Sequence, residues 1–168
     1  MNAGYAFCDG EEYDFLPGRF YGELIGDCIP FIETKYRIKR GRRTRAVAGL
    51  SLGSSQAFMI AMANRDLFAS VGIFSGMLPI RRPDYDYTPY FADPKNIDRD
   101  FDLFFGAAGA DEGFWPQMKE LLEGFQKGGA KNVVAYSCPG FHEWGVWRCH
   151  LREFLKLAFK KAEGGAER

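Results

Sequence analysis

Between Arg45 and Arg65 the chain carries no charged residue, and the stretch opens on Ala46-Val47-Ala48-Gly49-Leu50 before passing through Ser51-Leu52-Gly53-Ser54-Ser55-Gln56. Its serines, glycines and glutamine make it too polar for a membrane span, so it belongs in the interior of a globular fold. A five-residue apolar run bounded by small residues predicts a strand over Ala46–Leu50 buried on both faces, then a sharp turn, then an uncharged helix over Ser54–Asn64. Whatever fold the chain adopts must accommodate this strand, turn and helix at its centre.

Further apolar runs predict strands at Ser70–Phe74, Phe101–Phe105 and Asn132–Ser137. Met118, Leu121, Leu122 and Phe125 make one helical stripe between the last two, with Pro116 in its first turn and Gly128-Gly129 as its stop. Helical spacing also covers Phe20 to Tyr36, where Pro30 is expected to kink or restart the helix, and Val146–Lys160 reads as a closing amphipathic helix. Arg37–Arg45 reads as a basic surface connection, and Met1–Gly18 and Ile80–Asp100 as long loops. Strands separated by helical or long connections pair in parallel, because a crossover is needed to return to the same sheet edge. The expected class is α/β, a mostly parallel sheet flanked by helices in one domain spanning residues 1–168.

Twenty-two basic residues balance twenty-two acidic ones, so the charge gives no reason to expect nucleic acid or an anionic membrane as partner; a small, largely neutral ligand fits better. No charged n-region with an apolar segment opens the chain, and the four cysteines, Cys8, Cys28, Cys138 and Cys149, lack paired C-x-x-C spacing, which leaves the compartment open. Cys138 with Cys149 is a candidate disulfide. A metal site of Cys138, His142 and Cys149 matches no familiar spacing, and no metal or organic cofactor is expected.

Gly49-Leu50-Ser51-Leu52-Gly53 matches G-x-S-x-G between the end of a buried strand and the start of a helix, where a strained turn would project the Ser51 hydroxyl from the carboxyl edge of the sheet. The Leu52 N–H, at the helix N-terminus, would face a developing oxyanion. A serine nucleophile needs a base. His142, in the loop Pro139-Gly140-Phe141-His142-Glu143-Trp144 after the last strand, lies at the same edge, whereas His150 sits inside the closing helix and is expected to pack or to hydrogen-bond at the surface. The order serine, acid, histidine selects Asp111, reached through Gly106-Ala107-Ala108-Gly109-Ala110, as the carboxylate that orients the imidazole; Asp111 could equally cap the helix that follows, and Glu112 is the second candidate. Tyr85 and Tyr87 in the long connection, with Trp115 and Trp144 beside the acid and base, are candidate walls of a substrate pocket, or else cover the core.

These segments together resemble the esterase D-like group of α/β-hydrolases, which includes the feruloyl and acetylxylan esterases of carbohydrate esterase family 1. The likeness is carried by Ile29-Pro30-Phe31-Ile32-Glu33, by Arg45 through Gly53, by Phe74-Ser75-Gly76 and Gly109-Ala110-Asp111, and by Gly140-Phe141-His142-Glu143-Trp144 with Trp147-Arg148 and Phe154-Leu155. It implies a partial α/β-hydrolase fold, most of its C-terminal half, that acylates Ser51 with Asp111 and His142 completing the triad. Small-molecule or carbohydrate-linked esters, feruloyl or acetyl among them, are the implied substrates; simple acyl esters, siderophore esters and thioesters stay open. So do acyl transfer by the same triad and a non-catalytic binding role.

Two departures stand out. Ser54 replaces a second glycine common after the family's elbow, and the family's N-terminal strands are missing. The loop after the strand beside the nucleophile strand usually donates a second oxyanion N–H, so its absence leaves the hole half built. The exposed edge of Ala46–Leu50 is expected to invite pairing with another copy of the chain.

Overall fold

The structure, a computed structural model, describes residues 18–76 and 88–160. Four parallel strands, β1 (Ala46–Leu50), β2 (Ser70–Phe74), β3 (Leu103–Gly109) and β4 (Val133–Cys138), lie side by side in chain order. Gly49 stands opposite Ile73, Ile73 opposite Gly106, and Gly106 opposite Ala135. The crossovers that parallel pairing demands are α3 (Leu52–Ala63) between β1 and β2, the short helices α4 (Thr88–Ala92) and α5 (Lys95–Asp100) before β3, and α6 (Trp115–Lys127) before β4. Helix α7 (Trp144–Ala158) follows the last strand.

Alternation along the strands divides the core into two layers. Val71, Ile73, Phe104, Ala108 and Val133 face Phe58, Met59 and Met62 of α3 and Met118, Leu122 and Phe125 of α6. Phe74, Leu103, Phe105 and Ala107 face the other way, onto Phe154 and Ala158 of α7. Helix α3 is buried from Ser54 to Met62, which accounts for its lack of charge and of any polar face. In α6 the expected stripe is the buried one at Met118, Leu122 and Phe125, Pro116 lies in the first turn, and Gly128 is the C-cap.

Helical backbone runs through α1 (Gly18–Gly22), a π-helical turn at Glu23–Cys28 and α2 (Ile29–Lys35). Pro30 restarts the helix as expected, sitting in the first turn of α2, where its missing N–H costs least. Glu33 pairs with Arg45 and so ties α2 to the entry of β1.

Several expectations are corrected. Strand β1 is not buried on both faces: Ala48 is exposed and the rest half-buried, since β2 is its only sheet neighbour among the described residues. Strand β3 begins two residues later than expected and takes in Gly106-Ala107-Ala108-Gly109, a stretch expected to lie beyond the strand on the way to Asp111. The described part of the long connection, 88–100, is largely helical, and the buried Tyr90 hydroxyl donates to Asp100 at 2.7 Å. Tyr85 and Tyr87 lie outside the described residues.

Candidate active site

Strand β1 delivers Ser51 to the carboxyl edge of the sheet with φ 53° and ψ −126°, a conformation costly for a residue with a Cβ. Neighbouring contacts hold it there. The Ser51 N–H donates to Phe74 O at 2.9 Å, continuing the ladder past the end of β1, and Ser51 O accepts from the Ser54 N–H at 3.0 Å and the Ser54 hydroxyl at 2.5 Å. The flanking glycines are not equivalent. A Cβ on Gly49 would stand 1.9 Å from Gly53 O, whereas one on Gly53 would meet nothing within 4 Å, so it is Gly49 that permits the close strand-to-helix turn. Gly76 is equally constrained, since a Cβ there would stand 1.7 Å from Ser54 Oγ.

The Ser51 hydroxyl lies 3.0 Å from His142 Nε2, and His142 Nδ1 lies 2.9 Å from Glu112 Oε2. The carboxylate on the imidazole is therefore Glu112, not Asp111. The reason is local. Gly109 donates its N–H to Glu112 Oε1 at 2.7 Å while the Glu112 N–H returns to Gly109 O at 3.1 Å, folding that side chain back over the end of β3. Asp111, one position earlier, is exposed; its Oδ2 accepts the Gly140 N–H at 3.0 Å and its own N–H donates to Gly140 O at 3.2 Å. It braces the histidine loop through its backbone. Nor does Asp111 cap the next helix, whose N-cap is Phe114 with no side-chain cap.

Glu112 is also held by Ser75, whose hydroxyl donates to Oε1 at 2.5 Å. Its side chain is 2% exposed against 43% for His142, so the carboxylate end of the relay is dry and the imidazole end open to solvent. Burial raises the Glu112 pKa, but hydrogen bonds from Ser75, His142 and the Gly109 backbone outweigh it and leave the carboxyl below its ordinary value. Ser75 was not singled out as a site residue in the sequence; its position directly after a strand, at the same sheet edge as Ser51, was the available signal.

The imidazole is boxed edge-to-face by Trp147, centroids 4.9 Å apart, and by Phe114 at 6.1 Å. Trp144, 67% exposed, packs on Trp147 at 5.1 Å, so it stands at the rim of the site, and it helps line a groove of about 190 Å³ with Ala48, Leu50, Phe74 and Leu151. Trp115, half-buried, packs against the core. Leu52 opens α3, and its N–H is among the first-turn amides that have no intrahelical carbonyl to serve. His150 packs wholly inside, against Phe74 and Tyr136.

Residues 23–133 match the family model described as "Putative esterase". The chain belongs to this esterase family. Among its relatives, an endo-1,4-beta-xylanase/feruloyl esterase of Xylanibacter ruminicola is 26% identical over 148 residues, covering 87% of this chain and 18% of that protein. A CE1 ferulic acid esterase of Anaeromyces mucronatus, solved with ferulic acid, superposes with a TM-score of 0.61 at 19% identity, covering 83% of this chain and 54% of that one. The enterobactin esterase of Shigella flexneri gives 0.64 at 17% identity, covering 85% and 38%. These solved structures share the α/β-hydrolase fold with this chain, which spans well under two thirds of each of the three.

Proposed function

We propose that the chain is a serine esterase that cleaves carboxylic esters through an acyl-enzyme on Ser51. The observation that carries this reading is the unbroken relay from Ser51 Oγ through both ring nitrogens of His142 to Glu112. With its Nδ1–H donated to the buried carboxylate, His142 presents the Nε2 lone pair to the serine. Nε2 takes the hydroxyl proton as Oγ attacks the ester carbonyl, then passes it to the departing alcohol; water, deprotonated by the same nitrogen, releases the acid and restores Ser51. The Leu52 N–H stabilises the oxyanion from the helix N-terminus.

Aromatic acyl esters, feruloyl esters of plant polysaccharide in particular, are the substrate class this reading favours. The names of the xylanase/feruloyl esterase and ferulic acid esterase relatives support it, as do the rings of Phe114, Trp144 and Trp147 around the base. Trp144, at the rim, is the residue proposed to meet the acyl group.

A fluorophosphonate probe, with turnover of a short-chain nitrophenyl ester and of methyl ferulate, tests the proposal. Labelling confined to Ser51 and lost in Ser51→Ala is expected. Folded protein that neither labels nor turns over the nitrophenyl ester would defeat it, whereas hydrolysis of the nitrophenyl ester alone would defeat only the feruloyl assignment.

A further inference from the structure

We propose that Cys138 and Cys149 are a thiol pair that closes reversibly into an intramolecular disulfide, locking the two ends of the segment that carries His142. The inference rests on the placement of the two sulfurs and holds whether or not Ser51 turns over esters.

Strand β4 ends at Cys138, the loop 139–143 follows, and α7 begins at Trp144, so Cys138 and Cys149 bracket the histidine loop and the first turn and a half of the helix. Cys138 Sγ lies 3.9 Å from the Val146 carbonyl oxygen. Cys149 is three residues beyond Val146, on the same face of α7, so the face of the helix that Cys138 meets at Val146 also carries Cys149. From the strand side the Tyr136 hydroxyl reaches Cys149 Sγ at 3.4 Å. Both thiols are free and half-buried, within reach of a small reagent. Among the described residues no three potential ligands gather to hold a metal ion, so thiol chemistry is what the pair offers.

The oxidant is a low-molecular-weight disulfide such as oxidised glutathione. Cys149 gives its proton to solvent and attacks one sulfur of the reagent as thiolate; the other sulfur leaves, takes up a proton as the small thiol, and a mixed disulfide forms on Cys149. Cys138 then gives its proton to solvent and attacks the Cys149 sulfur, expelling the second small thiol. Two protein thiols are oxidised, one disulfide is reduced, and two small thiols leave. Burial, followed by the hydrogen bond and charge of Cys149, pushes the Cys138 thiol up to about 12, and capping Cys149 removes its charge from that set. The order of attack follows from this.

Incubation of the full chain with oxidised glutathione, at about pH 8 to supply thiolate, tests the inference by mass spectrometry and thiol counting. The expected product has lost two thiols and the mass of two hydrogens, yields a peptide joining positions 138 and 149, and melts about 5 °C or more higher until dithiothreitol is added. Neither Cys138→Ser nor Cys149→Ser should give it. Retention of both thiols, a persistent glutathione adduct on either, or pairing of either with Cys8, Cys28 or a second chain would overturn the inference. The mass readout on the unmutated chain needs no variant to fold. Ester hydrolysis is not measured, so the outcome is separate from that for the proposed function.

Discussion

Asp111 and Glu112 are adjacent carboxylates with different tasks, and substitution should separate them. Glu112→Gln keeps the size of the side chain but can leave its amide facing Nδ1, favouring the wrong tautomer of His142; kcat for the nitrophenyl ester should fall by about 10³- to 10⁴-fold. Asp111→Asn retains an oxygen to accept the Gly140 N–H, so its loss should stay within about 10-fold, and steady-state kinetics on the two variants decides the assignment. A larger loss in Asp111→Asn than in Glu112→Gln would return the acid role to Asp111. Glu112 also sets a pH limit. Because its folded pKa lies below its unfolded one, it contributes stability that is complete above the ordinary carboxylate value of about 4.5 and is lost as the pH falls through the folded value. Ser75→Ala removes a hydrogen bond that holds that value down, so the variant should be less stable than the parent above about pH 6, and its urea midpoint should fall by less, and level off at a higher pH, as the pH is lowered toward about 3.

At the scale of elements, the junctions matter more than the elements themselves. Gly49→Ala forces β1 and α3 apart at a backbone-to-backbone contact that no side-chain rotation relieves, and should cost about 2–3 kcal/mol of stability in chemical denaturation, with loss of fluorophosphonate labelling. Helix α7 holds a second constraint. Burial outweighs the charge of Glu112 and the Ala108 backbone to push the His150 pKa down, and neither ring nitrogen reaches a well-formed hydrogen bond. The stability that follows is complete above the unfolded value of about 6.5 and declines as the pH drops below it. A His150→Phe variant that folds should flatten the urea midpoint between about pH 6.5 and 5, and an unchanged slope would exclude His150 as its source. The same junctions explain what could be read in advance. Strands β1 and β2 announce themselves because apolar runs end at residues that must turn. The end of β3 does not, since Gly106 and its small neighbours resemble a loop in composition; a Cβ at Gly106 would in fact stand 2.5 Å from Leu122, so the glycine lets α6 lie close on the sheet. Ser51 and His142 follow from motif and order. The choice between Asp111 and Glu112 depends on a four-residue hydrogen-bonded turn from Gly109 to Glu112, which no residue pattern displays.

At the scale of the whole molecule, the edge of β1 away from β2 pairs with no strand among the described residues. Four parallel strands leave β1 and β4 outermost, and β1 presents a short, uncharged edge of Ala, Val and Gly beside Leu50, with nothing in its own side chains to repel another strand. The groove alongside, lined by Leu50, Phe74, Trp144 and Leu151, adds apolar surface that pairing would cover. With 22 basic and 22 acidic residues, long-range repulsion does not oppose approach of a second copy. The 168-residue chain is therefore expected to self-associate through antiparallel pairing of two β1 edges at micromolar concentration. Ala48 is the exposed centre of that edge. Ala48→Lys places a charge where two copies would meet and should shift the chain to monomer in sedimentation velocity, while Lys119→Glu, on exposed surface of α6, which packs against β3 and β4, should leave association unchanged. Parent protein that is monomeric at that concentration, or association that survives Ala48→Lys, would rule out this edge as the interface.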